Sequence, residues 1–260
     1  LIDGNRACDS QFRFRQVIHP SHEGKNIMLD QSFEALKTFD WGSDPATLQA
    51  IDEAIVASHG DAAKRGELEA QLLGVLQSDA PDAAKDYVFR KLMALGTTAS
   101  VAPLVAVLGD EKWSHRARFA LERIPGPEAS AALRTAAGEL TGALKAGAIS
   151  SLGVRQDADA VEMLGQLLAD DDPVVATSAA HALGAVRSAA AAELLGSAKP
   201  NPSAVPAAMD ASLACAEQLL KSGNPAAALT IYKRIATSKP PKHVQLAATR
   251  GMLACAGAGS

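Results

Sequence analysis

From Ser32 onward, apolar side chains recur at the three- and four-residue intervals of a helix with one buried face, and Gly or Pro repeatedly interrupts them. The period predicts helices over 32–39, 45–58, 61–77, 81–95, 99–109, 112–123 and 127–138. It continues with helices over 141–152, 158–169, 173–186, 189–196, 206–222, 225–237 and 242–255. Asp44-Pro45, Asp172-Pro173 and Asn224-Pro225 mark three of the starts: each sets an amide-accepting side chain before a proline that has no amide of its own. Residues 1–31 read differently. Gln11-Phe12-Arg13-Phe14-Arg15-Gln16-Val17-Ile18 alternates polar and apolar, the period of a half-buried strand, and His19 to Gly24 reads as a loop. Two readings fit 1–31: the tail of an upstream β domain, or an extended arm lying on the first helices.

The helices repeat. Leu95-Gly96, Leu121-Glu122, Leu152-Gly153 and Leu183-Gly184 each close one, the leucines being 26, 31 and 31 residues apart. A small residue precedes each leucine: Ala94, Ala120, Ser151, Ala182. A short linker and a second amphipathic helix follow, Val101 to Leu108, Ala129 to Ala137, Val161 to Leu168 and Ala190 to Leu195. A helical hairpin of this size cannot bury its apolar face alone, so its recurrence predicts a stacked array.

The run Asp170-Asp171-Asp172-Pro173-Val174-Val175, continued to Ala182-Leu183-Gly184, resembles the HEAT-repeat consensus of acidic loop, proline, valine and a helix ending Ala-Leu-Gly. Residues 80–200 resemble it well and 32–79 more loosely. The likeness is to phycobilin-lyase-like HEAT segments of large bacterial multidomain proteins, in which the repeats are appendages. It implies an all-α, right-handed solenoid of HEAT-like hairpins over 32–200, with the short extended or β segment before it. Where the family places an arginine after Pro-Val this chain has Val175, and Arg116 or Arg118 is the expected substitute one unit earlier, near Asp110 and Glu111. Residues 201–260 resemble one tetratricopeptide unit acting as a helical cap, on Ser222-Gly223-Asn224-Pro225, Tyr232 and Pro240.

Composition narrows the function. With 48% hydrophobic but only 4% aromatic residues, the core must be filled by Ala, Leu, Val and Ile. A net charge of −4 argues against a nucleic-acid partner, whose phosphates need a basic face. Cys8, Cys215 and Cys255 lack metal-ligand spacing, and the last two, among apolar neighbours, are expected to pack as small hydrophobes. No apolar run reaches the roughly 18 residues of a membrane span. A chain beginning at Leu1 reads as a processed or truncated piece, so neither compartment nor oligomeric state follows from it.

The resemblance places binding on the concave face, lined by each unit's second helix. In the repeat frame Met93, Phe119, Ser150 and His181 form one column, with Phe89 and His115 a turn earlier and Arg90, Arg116 and Arg123 beside them. Met and aromatic residues next to Arg are typical of protein interfaces, although Phe89, Met93 and Phe119 equally suit a core. His115 and His181 stand two units apart, roughly 20 Å or more at the usual helix spacing, too far to share a metal. His19 and His22 have no third ligand nearby. The run Asp170 to Asp172 lacks calcium-loop alternation and reads as a capping turn. Ser178 and His181 have no acidic orienter, and no Gly-x-Ser-x-Gly, P-loop or dinucleotide fingerprint occurs. No catalytic residue, metal or cofactor is therefore expected, and the reading is a protein–protein interaction scaffold whose partner has no stated identity. The alternatives are an enzyme on a HEAT-like scaffold, such as a phycobilin lyase or a DNA glycosylase, and a structural spacer.

Overall fold

The computed structural model describes residues 22–258, which form helices and no strand. The first helices are α1 (His22–Lys37), α2 (Gln49–Ala57), α3 (Ala62–Leu76), α4 (Asp82–Leu95) and α5 (Val101–Val105). Then come α6 (Ser114–Arg123), α7 (Pro127–Glu139), α8 (Gly142–Val154), α9 (Val161–Leu167) and α10 (Pro173–Val186). The last are α11 (Ala189–Ser197), α12 (Val205–Lys221), α13 (Pro225–Thr237) and α14 (Lys242–Ala258). Among the described residues, no helix is long and apolar enough to cross a membrane.

Local chemistry sets the ends. Asp44 accepts the amide of Ala46 at 2.9 Å and Asp172 that of Val174 at 2.8 Å, so both Asp-Pro starts are capped as expected. Asn224 is not such a cap. Its own amide donates to Leu219 O at 2.9 Å, closing α12 through Gly223 (φ 79°), and this pins the residue in the turn. The helix expected over 99–109 shortens to α5 because its last amides bond three residues back, Val107 to Leu104 and Leu108 to Val105, a tightened final turn. α1 starts ten residues before the expected 32, so 22–31 is helical rather than the end of a loop and extended segment. The period missed it because Ile27 and Met28, 55% and 50% exposed, point away from the buried stripe of Ser32, Phe33 and Leu36. The strand reading of Gln11 to Ile18 lies outside the described residues.

The hairpins pair differently from the sequence frame. α8 packs on α7 across a two-residue link, Leu140-Thr141, and α10 packs on α9, α4 on α3 and α14 on α13. So short a link leaves only an antiparallel neighbour. By closeness of packing α4, α8 and α10 each pair with the helix before them, so these Leu-Gly helices are the second of a hairpin, where the sequence frame had them first. α4, α6, α8, α10 and α12 also pack one on the next, making a continuous layer. Leu95, Leu121, Leu152 and Leu183 are buried in it, and a single apolar cluster runs from Phe33 to Cys255.

The glycine after those leucines has a mechanical reason. A Cβ on Gly153 would stand 2.8 Å from Ala182 Cα, and one on Gly184 would stand 2.9 Å from Ala211 Cα. Carbon atoms at ease sit about 3.5–4.0 Å apart. Only a missing side chain lets α8, α10 and α12 approach this closely. Where Glu122 replaces the glycine, polar bonds join the helices instead. Arg118 Nη1 donates to Gly147 O at 2.9 Å and to Ser151 Oγ at 3.1 Å, and Ser151 Oγ donates to Glu122 at 2.7 Å.

Candidate interaction surface

The α4–α6 junction is built on a buried acid. Asp86 faces inward from α4, and a carboxylate taken out of water needs cations beside it. Arg90, one turn on, brings Nε to 3.3 Å, and Arg116 reaches across from α6 to the other oxygen. The same cross-unit pattern recurs along the chain. Lys91 pairs with Asp52 at 2.5 Å, Lys112 with Asp82, Arg134 with Asp157 at 2.5 Å and Lys145 with Asp170 at 3.0 Å. The expected ladder of Arg116 or Arg118 with Asp110 and Glu111 does not form. Asp110 accepts the Lys112 amide at 2.8 Å in its own turn, which leaves Asp86 as the carboxylate in need of charge.

Phe89, placed by sequence at the surface, belongs to the core. It is 1% exposed and stacks on Trp113, ring centroids 5.4 Å apart. Met93 is half-buried against the same core. Phe119 differs: it is 37% exposed, its ring 4.2 Å from that of His115. His115, Phe119 and Arg123 stand four residues apart on α6 and form one exposed stripe. Arg116 and Arg90 flank it, tied through Asp86. Ser150 is exposed on α8, its hydroxyl donating to Ala146 O at 2.9 Å, and His181 is exposed on α10.

One exposed feature escaped the sequence reading. Val154, 63% exposed, lies one turn beyond Ser150 and carries the apolar character of the face onto α8; extending the column by four residues finds it. Trp113, within the helix expected over 112–123, is instead the residue just before α6, and it covers Phe89. Lys112 Nζ sits 5.0 Å from the indole centre, a cation held over a ring face.

The other candidates have structural roles. Asp172 caps α10, while Asp170 accepts the Asp172 amide at 3.0 Å and is held below the usual carboxylate range, chiefly by that bond and then by Lys145. Cys215 and Cys255 are buried free thiols, and burial pushes Cys215 up to about 11. Among the described residues, no three His, Cys, Asp or Glu side chains converge as a metal site would require. Two shallow grooves lie elsewhere, one between α1 and α3 around Phe33 and Val75, the other between α9 and α11 around Val161 and Leu194.

Comparison with known families matches residues 140–214 to HEAT repeats, the stretch from the end of α7 into α12. No curated protein matches the chain. The match and the helical architecture together support a HEAT-repeat protein.

Proposed function

We propose that the chain is a non-catalytic scaffold that docks a protein partner along the layer formed by α4, α6, α8 and α10. HEAT repeats commonly serve as protein-interaction scaffolds, and the observation that carries the reading here is the exposed stripe His115, Phe119 and Arg123. An aromatic ring left in water beside arginines has the composition of interface centres. Ser150, Val154 and His181 extend the face over the next two helices. The layer is concave in this reading, the superhelix right-handed and the kinship with bacterial, phycobilin-lyase-like repeats.

HEAT-like hairpins fill 32–200, and 201–260 forms a tetratricopeptide-like cap. Two features support the cap: the Gly223 turn between α12 and α13, and the close seat of Tyr232 against Gly251, where an added Cβ would run into the ring. The test is site-specific photo-crosslinking in an extract of the source cell. Crosslinkers at Phe119, Ser150 and His181 should capture the same discrete protein, while crosslinkers at Ala131 on α7 and Glu193 on α11 should not. Equal capture from both layers, or none from the first, would overturn the assignment.

A further inference from the structure

The charge on this face is opposite in sign to that of the whole chain. α4 and α6 hold Lys85, Arg90, Lys91, Arg116, Arg118 and Arg123 against Asp82, Asp86 and Glu122. Lys91 is paired with Asp52 and Arg118 is turned into the α6–α8 junction, which leaves Arg90, Arg116 and Arg123 exposed around Phe119. The net charge of the protein is −4, so the basic surplus is local. The three acids are also committed. Asp86 is buried between two arginines, Asp82 pairs with Lys112, and Glu122 accepts from Ser151. Arg123 makes no ion pair among the described residues, and one carboxylate, Asp86, serves both Arg90 and Arg116. The exposed outcome is cationic, with Phe119 at its centre.

We infer that the partner docks through an acidic segment carrying an apolar anchor, the anchor on Phe119 and Val154 and the carboxylates on Arg90, Arg116 and Arg123. The inference rests on the scaffold reading and adds the chemistry of the partner. Charge complementarity of this kind sets partner choice and encounter rate. A nucleic acid shares the negative charge but fits less well. It needs cations continued along a track, whereas beyond α6 the face offers Ser150, Val154 and His181.

The experiment uses the full chain and three fluorescein-labelled probes. One is a peptide of about twelve residues with Glu on both sides of a central Leu-Trp pair, the second its Lys counterpart, the third a single-stranded oligonucleotide of similar length. Anisotropy should show the acidic peptide binding, weakening as salt rises, and failing by roughly five-fold or more in Phe119→Ala and in Arg123→Glu. Both variants should keep the parent's helical circular dichroism, and Arg123→Glu its melting temperature, while Phe119→Ala, whose ring is partly covered, should melt only slightly lower. Equal or tighter binding of the Lys peptide or the oligonucleotide, or no binding of the acidic peptide, would overturn the inference. Should crosslinkers on the face capture a partner through a segment that is not acidic, the scaffold reading stands and this inference alone falls.

Discussion

Gly153→Ala and Gly66→Ala are the same chemical change in two helices, and they are expected to move stability in opposite directions. Glycine inside a helix costs about 0.5–1 kcal/mol relative to alanine, because the unfolded chain loses more freedom there. At Gly66 on α3 a new Cβ has nothing within 4 Å, so that gain is realised in full. At Gly153 the new Cβ lies 2.8 Å from Ala182 Cα and 3.1 Å from its Cβ. The nearer atom is backbone and cannot swing aside, so α8 and α10 must part. Overpacking of this kind costs about 1–3 kcal/mol, which outweighs the propensity gain and leaves a net loss of about 1 kcal/mol. For a chain of this size 1 kcal/mol moves Tm by about 2–4 °C, so the two variants should melt on opposite sides of the parent by circular dichroism. Adding Ala182→Gly to the first variant should restore only part of the loss, because the backbone carbon on α10 still stands in the way. A rise in Tm for Gly153→Ala equal to that of Gly66→Ala would refute the close approach of the two helices.

Three other outcomes are expected. Arg155→Lys should cost about 1–3 kcal/mol in urea unfolding, because the guanidinium fork bonds the carbonyls of Leu121, Ile124 and Gly126 at 2.6 to 2.7 Å and an ammonium cannot span them; an unchanged midpoint would contradict that cap. In a Cys8→Ser, Cys255→Ser background, Cys215 should react with an aromatic disulfide at pH 8 at least about a hundred-fold more slowly than a free thiol. Its proton is held more tightly in the folded state, so stability should fall as pH rises from about 9 towards 11, and reaction at the free-thiol rate would refute the burial. With Trp41 replaced by Phe, Trp113 emission should be blue-shifted and should move red in Phe89→Ala, whereas emission typical of exposed indole from the parent would reject the stacking.

The helices legible in the sequence are those whose ends carry their own chemistry. α10 spans 173–186 as the period placed it, with Asp172 capping its start and Arg187, in the left-handed region at φ 53°, closing its end. α1 was hidden because two of its large apolar residues face solvent. The recurring Leu-Gly was readable because close helix packing demands it, but its place within the hairpin was not. That depends on which neighbour each helix packs against more closely, and the two-residue links Leu140-Thr141 and Arg187-Ser188 fall on opposite sides of a Leu-Gly helix. The site shows the same division. Phe89 and Phe119 look alike in the repeat frame, yet one is buried and the other half exposed. The difference is Trp113, which reaches Phe89 from the residue before α6, and the period along one helix does not show which ring of its neighbour it covers.

The layer is held together by two different means, and this places the functional surface. From α8 to α12 the helices meet through Gly153, Ala182, Gly184 and Ala211, backbone against backbone. A junction made of small residues sends few large or charged side chains to its outer side. Between α4 and α6 the helices are joined by long side chains, Arg116 on Asp86 and Lys112 on Asp82. Their stems cover the junction while their charged ends reach water. The buried carboxylate that locks α4 to α6 thus holds Arg90 and Arg116 in place at the surface, at the junction beside the Phe119 stripe. Fixed in advance, these groups meet a partner with little further loss of side-chain freedom. The polar seam between α4 and α6 is therefore also the part of the array best prepared to bind.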